Sequence, residues 1–126
     1  MRILIGIFIL LHGLVHMWYV TLSQKWVPFE PEMGWTGNSW LLTGLFGDSV
    51  TQLLATVFYG LSTLLFLVAG VGLIANQDWN RPWLLIASIV SSLVIVMFWD
   101  GRFNLIVQKG LLGLLINIAI LILLYL

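Results

Sequence analysis

Polar and apolar positions alternate here in long blocks rather than residue by residue. Four apolar stretches, Ile3–Thr21, Leu53–Ala75, Trp83–Trp99 and Leu111–Leu126, occupy most of the 126 positions, and the few charges sit almost entirely between them. At about 1.5 Å of rise per residue, each is long enough as a helix to cross or nearly cross a hydrocarbon layer of about 30 Å. In hydrocarbon every backbone polar group needs a partner within the protein, which leaves helices as the natural form for such stretches. The pattern predicts an all-α fold: an integral membrane four-helix bundle in a single domain. Its expected spans are about 3–21, 50–75, 82–99 and 107–126, with a long Trp-rich first loop over 22–49.

Local signals set the expected ends. Ser49-Val50-Thr51-Gln52 has the form of a capping box for the second helix. Asn76 suits its stop, Pro82 the first turn of the third helix, and Gly101 a left-handed cap after Trp99. Within the loop, Pro28 and Pro31 argue against a helix over Val27–Glu32. Asn38 or Ser39 is placed to cap a short helix over Trp40–Leu45 at the membrane interface. Arg2 and the apolar run after it resemble a signal peptide, but His12-Gly13-Leu14-Val15-His16 stands where a small-residue cleavage site is expected, so the run reads as a retained first helix. Four spans put both termini on one side. The charge count, Arg2 and Arg81 against Lys25, Arg102 and Lys109, gives only a slight orientation, taken as cytoplasmic termini.

Composition narrows the function classes. Hydrophobic residues are 61% of the chain and charged residues 8%, against about 25% charged in soluble domains. The formal net charge is zero, which removes the electrostatic case for nucleic acid. There is no cysteine, and so no disulfide, thiolate metal site or Cys nucleophile. The lipid bilayer is the surrounding medium. No Gly-rich phosphate loop, His-Glu-x-x-His helix or serine elbow is present, and the reading leans away from an enzyme.

The sharpest chemical feature is His12 and His16, four apart and so on one helix face, with Tyr19 continuing that face toward the long loop. Ionisable residues in a span usually face a bundle interior or a wet cavity. They could be hydrogen-bonded packing residues, bind the polar head of an apolar ligand or move a proton, or ligate a metal or haem. One turn of helix cannot place two histidines on opposite haem faces, so bis-His ligation would need a second subunit. Asp100 and Arg102 belong to the same membrane side as Tyr19 and the loop carboxylates Glu30 and Glu32. They form either a capped turn with an interfacial ion pair or, with His12, His16 and Tyr19, a polar cluster over the bundle mouth. A mostly apolar cavity with a few converging polar groups is the usual form of a small-molecule site; the ligand expected there is a quinone or lipid. Gly13, Gly70, Ser88, Ser92, Gly113 and Asn117 are expected to mediate helix packing. The tryptophans mostly mark the two interfaces.

Leu10-Leu11-His12-Gly13-Leu14-Val15-His16 resembles the opening of small bacterial four-span membrane proteins of unassigned function. Phe98-Trp99-Asp100-Gly101-Arg102, Lys109-Gly110-Leu111-Leu112-Gly113-Leu114-Leu115-Ile116-Asn117 and the Gly34-Trp35 and Ser39-Trp40 pairs are similar to theirs as well. The four-span plan with a long first loop is also similar to the DoxX-like families, some of whose members are linked to quinone redox systems. The resemblance implies a bacterial inner membrane and a four-helix bundle, and it transfers no catalytic residue. Two further roles stay open: a redox or metal-binding subunit using His12 and His16, and an accessory subunit of a larger membrane complex or homo-oligomer.

Overall fold

The computed structural model describes residues 1–125. Its helices are α1 (Arg2–Ser23), α2 (Thr43–Ile74), α3 (Asn80–Phe98) and α4 (Leu112–Tyr125), with a 3₁₀ turn at Pro31–Met33 and a π-helical turn at Val107–Leu111. No strand is present among the described residues. Four helical segments, the last running from the π turn through α4, are long and apolar enough to cross a membrane. The protein is a multi-pass membrane bundle. The expected end of the last span, Leu126, lies outside the described residues.

The start of α2 differs from expectation, and the last span begins at Val107 as expected but as a π turn. α2 begins at Thr43 rather than near residue 50, and no side chain caps its first turn. Gly47 takes φ 82° and ψ 175°, a conformation open to glycine that side-chain-bearing residues avoid. The short interfacial helix and the second span therefore join through a kink. The Ser49 capping box is not used; Thr51 Oγ1 donates instead to the Gly47 carbonyl at 2.7 Å. The last span begins as a π turn in which Gly110 has φ 119°. A Cβ on Gly110 would also lie 2.7 Å from Ile95 Cγ2, so both backbone and space require glycine there.

Successive helices run antiparallel and pack closely, α1 on α2, α2 on α3 and α3 on α4. The tightest approach is α1 on α2, where a Cβ on Gly70 would lie 2.7 Å from Leu10 Cδ2 and 3.1 Å from the Gly6 carbonyl oxygen. Small residues let backbones approach in this way where no hydrophobic effect drives association. α1 and α4 make far fewer close backbone approaches than these pairs do. That seam is bridged by side chains.

The first loop seals the C-terminal end of α3. The last carbonyls of a helix have no partner within it, and in a membrane each unpaired group costs several kcal/mol. Here the loop supplies one donor to each of four successive carbonyls. Trp40 Nε1 donates to Val96 O at 2.7 Å, Ser39 Oγ to Met97 O at 2.5 Å, Trp35 Nε1 to Phe98 O at 2.8 Å, and the Trp40 amide to Trp99 O at 2.7 Å. Ser39 Oγ also accepts the amides of Leu41 and Leu42, while Thr43 Oγ1 accepts that of Ser39. One serine thus caps the turn entering α2 and the end of α3. Trp35, expected at the interface, is instead 1% exposed.

Candidate functional site

Helical spacing on α1 puts His12, His16 and Tyr19 on one buried face, and the two histidines are 6% and 3% exposed. α3 presents Ser91 to them and α4 presents Asn117, both fully buried. The four polar side chains form one network. His12 Nε2 is 2.7 Å from Asn117 Oδ1, Asn117 Nδ2 is 2.8 Å from Ser91 Oγ, and Ser91 Oγ is 2.5 Å from His16 Nε2.

The direction of every bond follows from its far end. His16 Nδ1 lies 3.0 Å from the His12 carbonyl and 3.2 Å from the Gly13 carbonyl. Carbonyls only accept, so Nδ1 carries the proton, and in the neutral ring Nε2 offers a lone pair. Ser91 donates to that lone pair and accepts from the Asn117 amide. The Asn117 oxygen then accepts from His12 Nε2–H. His12 Nδ1 remains as the one ring nitrogen of the pair without a hydrogen-bond partner, and it is an acceptor.

Aromatic rings enclose the network. Phe66 meets His12 edge-on at 4.8 Å between ring centroids and lies 5.5 Å from His16. Toward the loop, Tyr19 stacks on Tyr59 at 4.6 Å, and Trp35 meets both edge-on at 5.8 and 5.9 Å. The Tyr19 hydroxyl donates to the Gln108 carbonyl at 2.9 Å. This layer separates the histidines from the loop carboxylates. Glu30, Glu32 and Arg102 are exposed and do not join His16, so the expected polar cluster over the bundle mouth is not formed.

Asp100 pairs with Lys109 at 2.9 Å, not with Arg102, and both partners are almost completely buried. The reason is local. Asp100 Oδ1 accepts the Arg102 amide at 3.0 Å around Gly101, whose φ is 81°. This turn leaves the Arg102 side chain outside, while Lys109 reaches back from the π turn and also approaches Asn104 Oδ1 at 3.3 Å. The pair fastens the α3–α4 connection.

The opening to the histidines is lateral. A cavity of about 150 Å³ lies in the α1/α4 seam, lined by His12, Val15, His16 and Tyr19 on one wall and by Gly110 and Gly113 on the other. Its end at Ile116 adjoins a second, almost wholly apolar groove of about 410 Å³, which continues along the same seam between Leu4, Phe8 and Ile9 of α1 and Ala119 and Leu123 of α4. A third hollow, about 510 Å³, lies at the loop around Trp26, Phe29 and Thr36 and includes none of the network residues.

The packing residues divide in their roles. Gly13 faces Phe66, where a Cβ would come within 2.6 Å of its Cβ, and a Cβ on Gly113 would stand 3.9 Å from His12 Cε1. Ser92 bonds back to the Ser88 carbonyl of its own helix at 2.7 Å, and Ser88 Oγ is buried without a partner. As to metal, His16 has both ring nitrogens in hydrogen bonds. Among the described residues no group of three His, Cys, Asp or Glu side chains is placed to hold an ion. Chelation by both histidines would require the network to break.

Ser91, Lys109, Trp35 and Ser39 carry more of this architecture than their sequence context announces. The sequence signal that pointed to one of the caps is Ser39 at the expected start of the short helix over Trp40–Leu45. No protein-family model, curated protein or solved structure matches the chain.

Proposed function

We propose that the protein is a non-enzymatic membrane binding protein for a lipid or quinone-like amphiphile with a small polar head. The head sits against His12 and Tyr19, and the apolar chain lies along the α1/α4 seam. The observation that supports this is the adjacency, in one seam, of a small chamber with polar walls and a larger apolar groove meeting at Ile116. A mostly apolar cavity with a few fixed polar groups is the common form of a small-molecule site, and a lateral opening admits a ligand directly from the bilayer. The resemblance to small bacterial four-span proteins extends the reading to an inner membrane, and the distribution of Lys and Arg between the two sides extends it to cytoplasmic termini.

Organic extraction of protein purified in mild detergent, followed by mass spectrometry, tests it. The expected result is a stoichiometric amphiphile in the wild type and its loss in Ile116→Trp, with both proteins equally helical. A ligand-free wild type, or an Ile116→Trp variant that keeps its ligand, would overturn the proposal.

A further inference from the structure

Resting on that reading, we infer that the ligand's head is a neutral hydroxyl that donates a hydrogen bond to His12 Nδ1. The chamber's remaining hydrogen-bonding capacity selects the head. Both His16 nitrogens are engaged, and the Tyr19 proton is given to Gln108 O. The His12 Nε2 proton is given to Asn117. What remains on the chamber wall is acceptor capacity, the His12 Nδ1 lone pair and the lone pairs of the Tyr19 oxygen.

His12 Nδ1 has no hydrogen-bond partner, yet the single sealed and unpartnered polar side-chain atom among the described residues is Ser88 Oγ. Nδ1 is therefore open to a neighbouring molecule, and the chamber is the cavity that His12 lines. No charged residue lines it, so a phosphate or ammonium head would be buried uncompensated. A carbonyl or ether head would bring a further acceptor to acceptors. A hydroxyl, whether of a chain alcohol or of a quinol, matches. The chamber's 150 Å³ equals about five water volumes, which suits a small head.

The experiment measures binding of farnesol and of farnesyl methyl ether to the detergent-solubilised protein by native mass spectrometry. A benzoquinol and its quinone, with the same short isoprenoid tail, are compared in parallel under anaerobic conditions. The expected preference for each hydroxyl form is about 3- to 10-fold, the worth of one neutral hydrogen bond. His12→Phe keeps a ring in the wall but carries neither acceptor nor donor, and it is expected to abolish the preference in protein of unchanged helicity. Of farnesol and the quinol, the tighter binder identifies the source of the hydroxyl. Equal binding of the paired forms, or a preference retained in His12→Phe, overturns the hydroxyl assignment while leaving the seam as a binding site. Failure of all four probes to bind overturns both.

Discussion

Trp35→Phe is the most informative perturbation of the fold, because it removes one N–H while keeping a ring in place. The lost donor serves Phe98 O at 2.8 Å and Asn38 O at 3.1 Å. A buried carbonyl left unpaired costs about 1–3 kcal/mol. The smaller ring adds a packing loss, bounded by the roughly 3–5 kcal/mol of complete Trp or Phe truncation in a core. The expected total is about 2–4 kcal/mol. Trp40→Phe is the internal control. It removes an equally short bond, Trp40 Nε1 to Val96 O at 2.7 Å, but from a side chain that is 55% exposed. There water and lipid headgroups can replace the donor, and the cost is expected below about 1 kcal/mol. Reversible unfolding in mixed micelles, followed by far-UV circular dichroism, gives both values. Hydrogen exchange of the Phe98 and Trp99 amides reports fraying at the α3 end, expected to rise in Trp35→Phe alone. If Trp35→Phe costs no more than Trp40→Phe and exchange at α3 is unchanged, the loop does not supply the cap and the reasoning fails.

Three further perturbations test other parts of the structure. Asn117→Leu removes the bonds to His12 and Ser91 and should cost about 1–2 kcal/mol in micellar unfolding, with a coupling of about 0.6–1.7 kcal/mol to Ser91→Ala in a double-mutant cycle; additivity would mean the network is not a unit. Lys109→Met strands the buried Asp100 carboxylate and should cost about 3–5 kcal/mol, most of it recovered in Lys109→Met/Asp100→Leu; equal stability of single and double variants would refute a buried pair. Gly70→Ala forces a Cβ to 2.7 Å from Leu10 Cδ2, whereas a Cβ on Gly60 meets nothing within 4 Å. The first should lose about 1–3 kcal/mol by overpacking and the second should be neutral or gain up to about 1 kcal/mol, measured by the same unfolding titration.

What the sequence made legible follows the strength of the physics involved. The four spans are set by hydrocarbon thickness, which acts on every residue of a stretch, so composition alone reveals them. The stop at Asn76 was legible too: it takes φ 57°, one of the few conformations in which an asparagine ends a helix without strain. The joined start of α2 was not legible, because a glycine within an apolar run does not announce whether it breaks a helix or only bends it. His12 and His16 were visible from their spacing, but their partners were not. Ser91 and Asn117 lie 75 and 105 positions from His16 and His12, respectively, and nothing local marks which of several polar side chains in a span will face them. The Asp100 partner was misread for the opposite reason. Arg102 is close in sequence, yet the turn at Gly101 sends the two side chains apart, and Lys109 reaches Asp100 across the loop.

The two polar systems also explain why the seam at α1 and α4 stays open. α3 is fixed at its loop end by four donors from residues 35–40, and α1 is held against α2 by the Gly6–Gly70 approach and by Thr63 Oγ1 donating to Gly13 O at 3.0 Å. α4 has neither kind of support against α1. It is tied to the rest by the Lys109–Asp100 pair at one end, by the Arg81 guanidinium donating to Leu124 O at the other, and by Asn117 in the middle. Between these three attachments the α4 residues that line the seam are Leu112, Gly113, Ile116, Ala119, Ile120 and Leu123, and the small ones among them, Gly113 and Ala119, leave a gap toward α1. The small residues that bring helices together elsewhere here leave space, because anchors at both ends and the centre hold α4 at a fixed distance. The same attachments that keep the seam from closing also place an acceptor nitrogen on its wall.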